Sequence, residues 1–451
     1  VEEHEGETMA RRITRRGFLR GGAAAGTFLI VSPSMARTYA ANEKLRMAIV
    51  GAGGQGGGGV RAGMGEHIVA VAEADPEGRG AKGIQQIKAK FPDAKLYTDY
   101  RKLFDEQTKL DAAWVATPDH NHFGATYRAL GAGAGVYCEK PLTHNVHEAR
   151  KLRELAAAKG LTTQMGNQGH SGESIRLLCE YVWQGSLGDV TEVHVRNGND
   201  YANYTTGKPT EVPKGMDWNA WLGPAADRPY VSGPHPQGWR GWIDFGTGIL
   251  GDWFCHNADG AVWALKLNEA ETVEVECELG KPTANNFCPK LRIAWRFPKR
   301  GAMPPVTLRW FLNEPLPRPP ALEADRKSGN FASVYYGSKG MAAAGGWMGG
   351  VRLIPESFQK EVGRPKQVLP RVGGGHQRDF ISSLRAGRKS CADFDYSARL
   401  VEIMHLGNIA SRVGVGEKLT YDFRAGRFVN NTRADALLTR QPRKGWELGY
   451  V

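Results

Sequence analysis

Apolar positions follow two regimes along the chain. Between residues 45 and 166, short and nearly continuous apolar runs alternate with helix-like stretches. Leu45–Val50, His67–Ala74, Asp111–Ala116, Val136–Cys138 and Leu161–Gly166 read as strands, and His144–Lys159 as a helix. Runs that are apolar on both faces and separated by helices are the pattern of a parallel sheet covered on both sides. Beyond residue 168 the period becomes two. Val193/Val195, Val273/Val275/Cys277/Leu279, Leu291/Ile293/Trp295/Phe297 and Val306/Leu308/Trp310 alternate with polar residues. That pattern predicts half-buried strands of an open, mostly antiparallel sheet with one face on helices and the other free, a face that favours self-association. Residues 313–330, rich in Pro and charge, read as a loop, and 415–451 as a weakly structured tail. The expected fold class is α/β. A doubly wound parallel domain spans 42–167 and an α+β domain spans 168–414.

The strand-to-helix junctions give the first domain its chemistry. Leu45–Val50 runs directly into Gly51-Ala52-Gly53-Gly54-Gln55-Gly56, and the second strand ends near Glu73, 22 positions after Gly51. Glycines at this spacing let backbone N–H groups approach a pyrophosphate at a helix N-terminus, and the acidic residue accepts the ribose hydroxyls. This is the fingerprint of a Rossmann dinucleotide-binding domain. Glu73 repels a 2′-phosphate and is followed by Ala74 and Asp75 rather than Arg, so NAD is expected in preference to NADP. The next strands end in Thr117-Pro118-Asp119-His120-Asn121-His122 and in Glu139-Lys140-Pro141. Ligands of open parallel sheets lie beyond the carboxyl ends of the strands, so both clusters should face one crevice.

The second domain contributes Gly251-Asp252-Trp253-Phe254-Cys255-His256. On a helix running to about Leu265, Asp252 and His256 share a face. Oxidising a secondary alcohol needs a hydride acceptor on one side of the carbon and a group that takes the hydroxyl proton on the other. A Lys or His in a partly dry site can serve as that group. Trp is frequent, at 12 residues, and Trp218, Trp221, Trp239, Trp242, Trp253 and Trp263 crowd around this segment. Aromatic faces stack on the C–H faces of sugars, so one or two are expected at a substrate site and the rest in the core. Gln168, His170, Trp239, Arg240 and Asp259 are the candidate substrate contacts. Gly51, Gly53, Gly54, Gln55, Gly56, Glu73, Thr117, Pro118, His120, His122 and Glu139 are the candidate cofactor contacts.

The Gly51 loop, Ala116-Thr117-Pro118 with His122, Glu139-Lys140-Pro141, and Asp252 with His256 and Asp259 occur in this order. Together they resemble the glucose–fructose oxidoreductase and inositol dehydrogenase family (Gfo/Idh/MocA). Trp239-Arg240-Gly241-Trp242, Gly337-Ser338-Lys339-Gly340, Asp393-Phe394-Asp395-Tyr396 and Leu406-Gly407-Asn408 are similar to its exported, sugar-related members. The resemblance implies that Lys140 is the acid/base beside the reacting hydroxyl, that His256 contacts it or relays the proton, and that Asp252 orients the sugar. It implies an oxidoreductase acting on a secondary hydroxyl of a sugar, polyol or glycoside. A redox-neutral NAD-dependent glycoside hydrolase is the first alternative, and a non-catalytic sugar-binding protein that retains NAD is the second. Glu73 stands where many members have Asp.

Composition removes other classes. With 41% apolar and 24% charged residues over 451 positions, the chain is globular rather than disordered. The six Cys form no CxxC pair and no His/Cys cluster, so neither a structural metal nor a disulfide scaffold is expected. The net charge of +12 comes from dispersed Lys and Arg, which describes a solvated basic surface rather than a nucleic-acid site. At the N-terminus, Thr14-Arg15-Arg16-Gly17-Phe18-Leu19-Arg20 precedes an apolar stretch from Gly21 to Val31 and the small-residue sites Ser34-Met35-Ala36 and Thr38-Tyr39-Ala40. Residues 1–41 thus resemble a twin-arginine export signal, too short in its apolar part to remain as a membrane anchor. Export to a compartment with little free NAD would require a tightly held cofactor, with a dissociation constant around nanomolar, about −12 kcal/mol.

Overall fold

The computed structural model describes residues 43–198, 201–202, 207–235 and 237–450. The expected export signal lies outside them. The first sheet has six strands, β1 (Arg46–Val50), β2 (His67–Ala72), β3 (Lys95–Tyr97), β4 (Ala112–Val115), β5 (Gly135–Cys138) and β6 (Thr163–Met165), in the order β3-β2-β1-β4-β5-β6. All neighbours are parallel. Alternate residues feed two cores: Ala48, Val50, Ala113 and Val115 pack on one face, and Met47, Ile49, Ala112 and Trp114 on the other. Both faces are covered, which is why these strands read as unbroken apolar runs. Three helices flank the strand ends where a ligand would lie: α1 (Gly57–Gly63) after β1, α2 (Asp119–Gly131) after β4, and α3 (Val146–Lys159) after β5. The Asn145 side chain caps α3 by accepting from Glu148 N, and Gly160, at φ 60°, ends it.

The second sheet has nine strands. These are β7 (Val190–Asn197), β8 (Thr272–Leu279), β9 (Leu291–Phe297), β10 (Val306–Leu312), β11 (Ser333–Gly337), β12 (Met341–Ala344), β13 (Arg352–Ile354), β14 (Lys418–Asp422) and β15 (Arg427–Phe428). Their order is β13-β12-β11-β7-β10-β9-β8-β14-β15, antiparallel except for the β7/β10 pair. The inward positions bury Val193, Val275, Trp295 and Trp310 completely. The 20-residue helix from Phe394 to Val413 lies against this face, where Trp295 Nε1 donates to Ile403 O at 3.0 Å. The outward positions carry a charge ladder in which Arg296 pairs with Glu274 and Glu276, and Arg309 with Glu192 and Glu278.

Two boundaries differ from the sequence reading. The helix His376–Arg385 lies within the span 168–414 expected for the second domain but packs on the first sheet, with Phe380 set edge-on to Trp114 and Tyr137. The stretch 415–451 is not a loose tail. Lys418–Asp422 pairs with β8, and Arg440 reaches back to donate to His120 O and to pair with the fully buried Glu148. Its strands are short and its anchors are distant ion pairs, so no local periodicity announces them. Among the described residues no helix is long and apolar enough to cross a membrane, and all six cysteines are free.

Candidate functional site

The carboxyl ends of β1, β2, β4 and β5 open onto one cleft. Of the candidate residues, Gly51, Gly53, Gly54, Gln55, Glu73, Thr117, Pro118, His122, Glu139, Lys140, Trp239 and Arg240 line it. Gly51 has φ +84°, and a Cβ there would lie 2.5 Å from Ala116 O. At Gly56 a Cβ would sit 2.0 Å from Gly51 O. The loop can therefore turn this tightly only with glycine at these two positions, which brings its backbone to the cleft at the start of α1. The buried Thr117 hydroxyl in the same cleft has no protein partner. A glycine cradle at a helix start, an acidic residue at the end of β2 on one side of it and an unsatisfied hydroxyl after β4 on the other fit a dinucleotide.

Glu73 does more than wait for a ribose. Its carboxylate accepts Ala52 N (2.8 Å), Gly53 N (3.3 Å) and Asp75 N (3.1 Å), while burial raises its pKa. Arg79, which the sequence reading passed over, brings its guanidinium alongside Gly54 and lines the same end of the cleft. His235, for which the sequence offered no role, lines that end too and bonds Asp75 Oδ2 at 2.9 Å.

At the other end, Lys140 follows β5 and Asp252 sits on helix α4 (Gly248–Asn257). Lys140 Nζ donates to Asp252 Oδ1 at 2.5 Å and to Asp252 O at 3.0 Å. Arg240 Nε donates to the same Oδ1 at 3.1 Å, and its guanidinium lies over the Trp239 ring at 4.3 Å. His256, one turn along α4, is buried, and its Nδ1 has no partner. Burial and then the nearby Lys140 charge push its pKa well below the usual imidazole value, so it is neutral. Two carboxyls flank this group. Asp119, at the start of α2, is pushed up to about 7 by burial and receives Thr247 Oγ1 at 2.7 Å. Glu139 is likewise raised by burial to about 7. Asp119 was legible as part of the Thr-Pro-Asp-His cluster, but nothing local gave it a role.

Several predicted contacts are structural instead. His120 is fully buried, with Nδ1 3.1 Å from Phe245 O and Nε2 2.8 Å from Trp221 O, so it ties the domains together rather than meeting cofactor. His122 lines the cleft, yet its nitrogens face Pro141 O (2.7 Å) and Thr117 O (2.8 Å), and so it clamps the two loops to each other. The helix expected to run to Leu265 is interrupted at Ala258, and α5 (Asp259–Ala264) begins after it. Asp259 thereby leaves the face of Asp252 and is enclosed, accepting from Asn167 Nδ2 (3.0 Å) and Tyr396 Oη (2.6 Å) and bonding His170 Nδ1 (3.0 Å). His170 is buried with it, stacked on Trp263 at 4.4 Å. Gln168 is exposed and its Nε2 lies 3.4 Å from Tyr137 Oη, away from the cleft. Gly56 is buried beneath the loop it shapes.

Fold and cleft together define a two-domain dinucleotide-binding protein. Residues 45–167 match the oxidoreductase family's NAD-binding Rossmann fold model (GFO_IDH_MocA), and residues 174–300 match that family's C-terminal alpha/beta domain. The two matches cover more than half of the chain, which therefore belongs to the Gfo/Idh/MocA oxidoreductase family. The chain is 44% identical over 95 residues to D-xylose 1-dehydrogenase (NADP(+)) of Hypocrea jecorina, covering 21% of this chain and 24% of that protein. It is 28% identical over 155 residues to trans-1,2-dihydrobenzene-1,2-diol dehydrogenase of Mus musculus, covering 34% and 42%. It thus spans less than half the length of these relatives. Among solved structures, levoglucosan dehydrogenase in complex with NADH and L-sorbose superposes with TM-score 0.54 at 17% identity, covering 84% of this chain and 99% of that one. An inositol dehydrogenase homolog from Azotobacter vinelandii, complexed with NADH and myo-inositol, gives TM-score 0.51 at 18% identity over 85% and 98%. These two likenesses establish the shared fold.

Proposed function

We propose that the chain is an NAD-dependent oxidoreductase acting on a secondary hydroxyl of a sugar, polyol or glycoside. The observation that carries this reading is the Lys140–Asp252 ion pair, with neutral His256 on the same helix, at the far end of the glycine-lined cleft. Bound NAD supplies the hydride acceptor. The chain's own side chains manage the proton. Lys140, its ammonium held by Asp252, donates to the substrate oxygen and stabilises the negative charge that develops there. His256, neutral and with an unpaired nitrogen, accepts the proton directly or passes it on. Arg240 braces Asp252 from its other side. The relatives named for xylose and levoglucosan support a sugar-like substrate, and Glu73 beside the glycine loop supports NAD over NADP.

The same reading includes export by the twin-arginine route, with the cofactor seated before transport and held tightly afterwards, and self-association through the nine-stranded sheet. The arginine pair at 15 and 16 supports the first part, and the width of the nine-stranded sheet the second. The test is to purify the mature protein from its native compartment, denature it and identify the released nucleotide, then follow NADH absorbance with a panel of sugars, polyols and glycosides. NAD in near-equal amount to protein and NADH formed from at least one sugar are expected. Absence of nucleotide together with no turnover in added NAD would overturn the reading. Aglycone release without net NADH would move it to the redox-neutral glycosidase.

A further inference from the structure

Trp347 is the most exposed of the large apolar side chains described, at 58%. Its loop, Gly346–Met348, connects β12 to β13 and places Trp347 and Met348 in the left-handed region, at φ 54° and 58°. Bulky residues rarely adopt that conformation, and where it persists the surroundings must enforce it. They do so here from several sides. Met348 is buried against Gly260, Trp347 N donates to Asn257 Oδ1 at 3.2 Å, and Gly345 N donates to Gly349 O at 2.7 Å. The strained loop thus holds an indole out in solvent.

The position of that indole is specific. Its plane lies within 6° of the Trp253 plane at a centroid distance of 6.0 Å, and it meets the His256 ring edge-on at 5.9 Å. Trp253 Nε1 donates to Tyr201 Oη at 2.9 Å; Tyr201 is itself 45% exposed, and the Arg240 guanidinium lies 5.6 Å from its ring centre. Aromatic side chains therefore run in contact from His256 through Trp347, Trp253 and Tyr201 to Arg240, which lines the cleft and bonds Asp252. Trp347, Trp253 and Tyr201 have no part in gripping the nucleotide or moving the proton in the proposed function.

We infer that Trp347, with Trp253 and Tyr201, is a stacking platform for a second ring, so that the substrate is a glycoside whose linked sugar or aglycone lies on it while the ring being oxidised lies by Lys140. The inference rests on the proposed function and narrows its substrate class. The apolar C–H face of a pyranose, or the ring of an aryl aglycone, matches an exposed indole face.

The test uses the full chain with NAD and compares kcat/KM for a free monosaccharide with that for its disaccharide and its aryl glycoside. In Trp347→Ala the two-ring over one-ring ratio should fall about tenfold or more, chiefly through KM, whereas Trp347→Phe should keep most of it. An unchanged ratio overturns the platform, because a merely structural role for Trp347 would lower both substrates alike. A change of sedimentation coefficient in Trp347→Ala also overturns it, by making this surface a subunit contact. If no sugar yields NADH the proposed function fails, and the platform is still tested by titrating tryptophan fluorescence of both proteins with the disaccharide and the monosaccharide. Equal affinities in the parent protein would then end it.

Discussion

Lys140 Nζ lies 2.5 Å from Asp252 Oδ1, and Arg240 Nε occupies the same oxygen at 3.1 Å. One carboxylate thus aligns two cations that line the cleft at the end away from the glycine loop. Asp252→Asn keeps the shape but leaves both cations without a counter-charge, so Lys140 loses its fixed aim. Turnover with the best sugar should fall about 100-fold, since aligned charge stabilisation and proton transfer typically contribute that much each. The nucleotide content of the purified variant should match the parent. A loss of turnover below about threefold would remove Asp252 from the mechanism.

The glycine loop predicts a contrast between neighbours. A Cβ at Gly56 would sit 2.0 Å from the Gly51 carbonyl oxygen, which cannot move without undoing the turn. At Gly54 the nearest atom is the end of the Arg79 side chain at 3.1 Å, and the cost is the left-handed φ of +54°, about 1–2 kcal/mol. Gly56→Ala should yield protein without nucleotide, whereas Gly54→Ala should retain most of it with a modestly lower Tm. Released nucleotide per chain decides between them.

The proposed preference for NAD predicts a charge opposition between Glu73 and Arg79 at the end of β2. The Glu73 carboxylate is fixed on the amides of Ala52, Gly53 and Asp75, and the Arg79 guanidinium lies across the loop from it. Glu73→Gln removes the repulsion toward a 2′-phosphate and should narrow the preference of kcat/KM for NAD over NADP by about tenfold, the equivalent of about 1.4 kcal/mol. Arg79→Ala should widen it. The opposite signs are the test.

The C-terminal stretch makes a prediction about stability rather than turnover. Arg440 pairs with Glu148, which is fully buried, at 2.8 Å. Arg440→Met strands that carboxylate, which costs about 3–5 kcal/mol for a buried pair broken on one side. Tm should fall by several degrees, while kcat measured well below Tm should hold.

What the sequence disclosed divides along physical lines. Gly51 to Gly56, Glu73, Thr117, Glu139 and Lys140 were readable because each sits where an apolar strand ends, and an open parallel sheet gathers those ends at one crevice. Asp252 and His256 were readable because four residues of helix place them on one side. Asp259 misled because the helix breaks at Ala258, a turn with no Gly or Pro to mark it. His120 misled because a polar cluster at a strand end also has to anchor the neighbouring domain. Arg79 and His235 were missed because each reaches the cleft from a loop whose course depends on distant packing. The tail from 415 was missed for the same reason.

Buried neutral imidazoles fix the acid limit of the fold. Burial lowers His120 and His405 to about 3 and His122 and His376 to about 4, while the unfolded chain leaves each near 6.5. Below the unfolded value the denatured state binds protons that the native state refuses, so stability present above roughly pH 6.5 drains away as pH falls toward the folded values. Near pH 5 each of these histidines should cost about 2 kcal/mol, enough in combination to unfold a domain of ordinary stability. Denaturant midpoints measured between about pH 8 and 5 should therefore fall steeply, with unfolding taking up protons. His405→Gln separates this cause from carboxylate protonation, because its hydrogen bond to Thr143 O can be kept by the amide. The variant's midpoint should decline less steeply over that range, and a slope identical to the parent's would show that His405 is already protonated in the fold.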